Sequence, residues 1–135
     1  LKGKSYLLDA HIGRYEYPDL KRVFYTMAGQ WRAQAILIED KSSGQQLLQD
    51  VKREHALPVI AIKPKQDKFT RFAGVSAMIE AGYLMMPQQA PWLADFESEL
   101  FAFPKGAHDD QIDALSQYLD WRRKKSLEKL TIRRI

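Results

Sequence analysis

Residues 35–62 read AILIEDKSSGQQLLQDVKREHALPVIAI, and this stretch decides the fold. Ala35 to Glu39 is a short apolar run that ends abruptly in acid, the pattern of a buried strand. From Ser43 to Glu54, Leu47, Leu48 and Val51 recur on one helical face, with Ser42 or Ser43 placed to cap the start. Pro58 to Ile62 is again apolar and rich in β-branched residues. The stretch therefore predicts strand, helix, strand, the unit of an α/β domain with a largely parallel sheet.

The flanks continue the alternation. Upstream, Ser5 to Ala10 (SYLLDA) reads as a strand, Gly13 as a turn, and Pro18 as a first-turn residue of a helix running to about Gln30. Downstream, Lys68 to Ala81 is a helix stopped by Gly82, and Tyr83 to Met86 is extended. Pro87 and Pro91 bracket a loop. Helices of about Pro91 to Ala102 and His108 to Lys125 follow, separated by a turn at Pro104 to Gly106. The predicted order is β-α-β-α-β-α-β-α-α.

Composition sets outer limits. The 135 residues, 45% hydrophobic and 28% charged, suit a single domain spanning 1–135. No apolar run is long enough to span a bilayer. There is no cysteine, so thiol nucleophiles, disulfides and cysteine zinc sites are excluded, and three scattered histidines argue against an all-histidine metal centre. The chain starts at Leu1 without a Met or a signal peptide, which suggests a fragment of something longer. The net charge of +4 is unevenly spread: from Trp121 onward seven basic residues, among them Arg122, Arg123, Lys124 and Lys125, face only Glu128. That tail suits a polyanion such as DNA, and it equally suits a solvated terminal helix.

Two acidic motifs carry the chemistry. Glu39-Asp40 stands at the carboxyl end of an apolar strand, the edge at which open α/β sheets bind ligands. Either acid could instead serve the dipole of the next helix. His108-Asp109-Asp110-Gln111-Ile112-Asp113-Ala114 places three carboxylates at a helix start, where Asp110 and Asp113 share a face with Gln117. Capping by Asp109 and dipole charge from Asp110 would explain two of these acids. Asp113 lies too deep for that explanation, and like charges this close call for a cation between them. Together the motifs suggest a carboxylate cluster holding Mg²⁺ or Mn²⁺ and hydrolysing a phosphodiester.

Lys63, Lys65, Lys68 and Arg71 form a basic cluster suited either to DNA phosphates or to a solvated loop. Trp31, Trp92, Trp121, Phe96, Phe101 and Phe103 read as packing aromatics. His11 and His55 read as structural, and His108 as an outer-shell neighbour of the acids.

The strings YLLDAHIGRYEYPDLKR (6–22), ILIEDKSSGQQLLQDVK (36–52), IKPKQDKFTRFAGVSAMIEAGYLMMP (62–87) and PWLADFESELFAFPKGAHDDQIDALSQYL (91–119) resemble, in this order, the C-terminal nuclease domain of tailed-phage terminase large subunits. The resemblance implies an RNase H-like, resolvase-like mixed sheet flanked by helices. It also implies a metal-dependent endonuclease that cuts concatemeric viral double-stranded DNA during packaging in the bacterial host cytoplasm. By the same resemblance Glu39, Asp110 and Asp113 are the catalytic metal ligands, with Asp40 and Asp109 as less favoured neighbours. Family members carry two further strands, the first supplying a leading catalytic Asp, before the strand that matches Tyr6 to Asp9. The chain is thus expected to be N-terminally truncated, with Asp9 not in that role. An ATPase domain upstream, a small terminase subunit and the portal or procapsid are the implied partners. No GxxxxGK[ST] phosphate loop occurs within the 135 residues. The alternatives are a non-catalytic DNA-binding or docking module and a resolvase- or integrase-like nuclease on the same fold.

Overall fold

The elements of the computed structural model run β1 (Ser5–Tyr6), α1 (Tyr17–Trp31), β2 (Ile36–Glu39), α2 (Ser43–Glu54), β3 (Val59–Ile62), α3 (Lys68–Glu80), β4 (Leu84–Met85), α4 (Leu93–Ala102) and α5 (Asp110–Arg134). The structure describes residues 3–54 and 57–134, with side chains through residue 125. The chain is mixed α/β, with five helices and short strands in small sheets among the described residues, in the order expected from sequence. It divides into two compact units, Gly13–Lys65 and Leu1–Ile12 with Gln66–Ile135.

In the Gly13–Lys65 unit, β2 and β3 pair in parallel, Ile36 opposite Val59 and Glu39 opposite Ile62. The apolar face of α2 covers the strands: Ile38, Leu47, Leu48 and Val51 are buried, with Tyr17, Phe24 and Tyr25 of α1 packed against them. Burial of that stripe, at roughly 25 cal/mol per Å² of apolar surface, is what holds a pair of four-residue strands together. Helix α1 carries Pro18 in its first turn. It ends at Arg32, whose left-handed backbone (φ 49°) lets its N–H reach Ala28 O at 3.0 Å without a glycine.

The α2 start differs from the serine cap expected. Ser42 takes a left-handed conformation (φ 51°), and the turn closes on backbone carbonyls, Gly44 N to Lys41 O and Gln45 N to Ser42 O. Gly44 is required here, since a Cβ would collide with Glu39 O. The close approach brings the helix start directly onto the end of the strand that carries Glu39.

In the other unit, β1 and β4 pair in parallel, Ser5 opposite Leu84 and Tyr6 opposite Met85. Strand β1 stops well short of the expected Ala10. Its last bond is Leu7 N to Met85 O, after which the Asp9 carboxylate accepts the N–H of Ala10. Val75, Phe96, Ile112, Leu115 and Leu119 form the core, bringing α3, α4 and α5 together. Asp67 caps α3, its carboxylate accepting the Thr70 N–H at 2.8 Å and the Thr70 hydroxyl at 3.0 Å. Those bonds hold the Asp67 carboxyl below the usual carboxylate range. At the other end Gly82, at φ +84°, supplies the left-handed turn expected of it. Helix α5 runs past the expected Lys125, because nothing from 126 to 134 is a glycine or proline.

Candidate carboxylate and nucleic-acid site

The first turn of α5 brings together Asp109, Asp110 and Asp113 with Lys68 and Arg71 of α3. Asp109 stands just before the helix and its carbonyl accepts the Asp113 N–H at 2.8 Å. Its side chain does not cap the turn as the sequence suggested. It pairs instead with Lys68 Nζ at 3.0 Å, across from the start of α3. The Asp109 carboxylate raises the Lys68 ammonium above its ordinary pKa.

Asp113 is buried and faces Arg71, itself only 6% exposed, and accepts a hydrogen bond from the guanidinium at Oδ1. Its Oδ2 accepts from Gln117 Nε2 at 3.3 Å, with Lys68 Nζ at 3.9 Å. Arg71 also donates to Gln66 O at 2.9 Å and to Ser116 Oγ at 3.4 Å. The expectation of Arg71 as an open phosphate contact is therefore corrected: the side chain lies inside, where a buried carboxylate requires a cation.

Asp110 differs from its neighbours. It is exposed, and among the described residues its carboxylate accepts no hydrogen bond and joins no ion pair. His108 is exposed beside it.

The side-chain cap of α5 comes from a residue sequence reasoning missed. Glu99 of α4 is 8% exposed; its Oε1 accepts the backbone N–H of Gln111 at 2.8 Å and that of Ile112 at 3.5 Å, and its Oε2 accepts Gln111 Nε2 at 2.6 Å. A signal was available in the sequence. Glu99 falls three residues after Phe96 and four before Phe103, on the apolar side of α4, where an ionised side chain is rare without a partner.

In the other unit, Glu39 is half-buried at the end of β2, with neither a hydrogen bond nor an ion pair to its carboxylate among the described residues. Asp40 bonds backbone to backbone with Ile62 at 2.8 Å and faces Lys63 Nζ at 3.5 Å. Lys63 and Lys65 are exposed. Within neither unit do three or more His, Asp or Glu side chains gather as a metal-holding group among the described residues. The oxygen donors that stand uncommitted, Glu39 and Asp110, nonetheless suit a hard divalent ion by their chemistry.

Of the basic tail, Arg122, Lys124 and Lys125 are exposed. Arg123 is engaged, donating to Gly74 O at 2.7 Å and Asp120 Oδ1 at 2.6 Å. Lys124 pairs with Asp120 at 2.9 Å. Burial pushes the Asp120 carboxyl up, but its bonds to Lys124 and Arg123 outweigh it and leave the group below its usual range. The side chains of Lys129, Arg133 and Arg134, and His55, lie outside the described residues. No helix among the described residues is long and apolar enough to cross a membrane.

The model of one protein family, the terminase RNaseH-like domain, matches residues 5–120. Comparison with curated proteins and with solved structures gives no match.

Proposed function

Because the chain belongs to the terminase RNaseH-like domain family, we propose that it is the metal-dependent endonuclease domain of a phage DNA-packaging terminase large subunit. Its substrate on this reading is concatemeric viral double-stranded DNA, cut by phosphodiester hydrolysis. Asp110 is the observation that carries it. Beside Asp109 and Asp113, and beside Glu99 of α4, each with a partner, the Asp110 carboxylate stands exposed and outside any ion pair among the described residues, close enough for its charge to act on the Lys68 ammonium. Such a group suits Mg²⁺ or Mn²⁺.

Glu39 in the Gly13–Lys65 unit and Asp110 in the other are each a carboxylate that we assign as a ligand for a divalent ion. A pair of divalent ions, when bound, lowers the pKa of an attacking water and shields the attacking and leaving oxygens of the phosphodiester. The protein's own part is to hold these carboxylates in place. Gly44 seats the Glu39 strand end against α2, and Arg71 and Lys68 neutralise the acids beside Asp110. Asp113 reaches an ion only by giving up Arg71, so its part at the start is to pin α5 to α3.

Exposed Lys63, Lys65 and Lys68, with Arg122, Lys124 and Lys125, bind the DNA backbone and orient a duplex without reading its sequence. The same reading places an ATPase motor domain upstream in the polypeptide and has the domain work with a small terminase subunit and a portal, in the host cytoplasm.

Salt titration of DNA binding tests which lysines meet the backbone. Replacing Lys63 and Lys65 by alanine should reduce the slope of log K against log salt by about 0.9 for each phosphate that is no longer neutralised. An unchanged slope would remove them from the interface.

A further inference from the structure

Building on the nuclease reading, we propose that Glu99 is a positioning residue that fixes the first turn of α5 and so places Asp110 for the divalent ion. Glu99 touches neither substrate nor ion on this proposal. It acts through the backbone.

Three observations support it. The carboxylate is buried, and its hydrogen bonds among the described residues run to two consecutive residues, Gln111 and Ile112, immediately after Asp110. Among the described residues no side chain of α5 or its lead-in accepts these amides, and Asp109 is turned to Lys68. The lead-in from Phe103 to Asp109 is also mostly exposed, and the other ties on the turn, Asp109 to Lys68, Asp113 to Arg71 and buried Ile112, act through side chains and leave the Gln111 and Ile112 amides to Glu99.

The charge of Glu99 matters as well as its shape. A helix start with free N–H groups attracts anions, including the phosphates of DNA. With the Glu99 carboxylate occupying the Gln111 and Ile112 amides, that attraction is consumed internally. Around this turn stand Glu99 of α4, Asp109, Asp110 and Asp113, with Lys68 and Arg71 as the cations paired to them among the described residues. The excess of negative charge favours a cation at Asp110 over a phosphate.

The test compares Glu99→Leu, Glu99→Asp and Glu99→Gln by three readouts: the melting temperature, amide exchange and the metal requirement, the last two taken well below each variant's own Tm. Hydrogen exchange at the Gln111 and Ile112 amides is measured on the chain itself. The Mg²⁺ concentration for half-maximal plasmid cleavage is measured on the polypeptide that cuts. In Glu99→Leu exchange should quicken by about tenfold, and the Mg²⁺ half-point should rise by about tenfold. Glu99→Gln, which keeps a carbonyl acceptor, should hold exchange near the wild-type rate. Should Glu99→Leu fail to fold, Glu99→Asp decides, because its shortened side chain should still quicken exchange.

Exchange at Gln111 and Ile112 that is the same in wild type and in Glu99→Leu, or in Glu99→Asp where Glu99→Leu does not fold, overturns the proposal, whether or not the protein cuts DNA. An unchanged Mg²⁺ half-point beside quickened exchange also overturns it, by separating the cap from the ion. Absence of any metal-dependent cleavage by wild-type protein overturns the nuclease reading instead, and with it the link from Glu99 to the ion; the exchange result still decides the cap.

Discussion

Arg71 and Asp113 form a buried ion pair that ties α3 to α5, with the guanidinium donating to one carboxylate oxygen and both side chains more than nine-tenths covered. Two charges withdrawn from water in this way are tolerated only as a pair. The pair therefore makes the packing of α3 on α5 depend on its own completeness.

Removing one member should be severe. Arg71→Met leaves buried Asp113 with only the longer contact to Lys68 at 3.9 Å as a cationic partner among the described residues, and should cost about 3 kcal/mol in urea denaturation, the lower end of the range for a broken buried pair. The double variant Arg71→Met/Asp113→Leu should regain at least about half of that loss, since a hydrophobic replacement of both charges is often close to neutral. A single variant with wild-type stability would show that Asp113 is not held in this way.

Gly44 is a second fixed point. In Gly44→Ala the new Cβ meets the backbone oxygen of Glu39, which cannot rotate away as a side chain could. The expected cost is about 3 kcal/mol by thermal denaturation, with the shift concentrated at the end of β2. Backbone chemical shifts at Glu39 and Asp40 report the movement directly; unchanged shifts would contradict the close approach.

Tyr17 and Tyr25 give a pH signature for the Gly13–Lys65 unit. Burial and a hydrogen bond to Asp50 push the Tyr17 phenol up to about 12, and a hydrogen bond to Glu54 does the same for Tyr25. Groups whose pKa is higher folded than unfolded stabilise the fold below their unfolded pKa, about 10 for tyrosine. That stability should be fully present below about pH 10 and fall away as pH rises through 12. Phenolate absorbance should show two late-titrating tyrosines together with loss of α1 on α2; uniform titration near 10 would contradict the pairing.

The element order is legible in the sequence because apolar periodicity and Pro/Gly punctuation are local. Ser43 to Glu54 has the same bounds in sequence and structure, and α5 exceeds its expected length where the chain continues without a glycine or proline. Arg71 and Glu99 escape a local reading because their roles depend on partners 42 and 12 residues away, which no local pattern carries. The depth of Asp113 in its helix does reveal that it is no cap, whereas the Arg71 guanidinium that the structure sets beside it has no local signature.

The most direct measurement is cleavage of supercoiled plasmid with Mg²⁺, with Mn²⁺ and with EDTA. It compares this chain, a form extended upstream by about 50 residues, enough for two or three further strands, and Asp110→Asn and Glu39→Gln in that extended form. The extended form should cut only with metal, and each substitution should reduce the rate by at least about a hundredfold while leaving the folded circular dichroism spectrum intact. Cutting in EDTA, or full activity in either variant, would contradict the assignment of Glu39 and Asp110 as the ion-holding carboxylates.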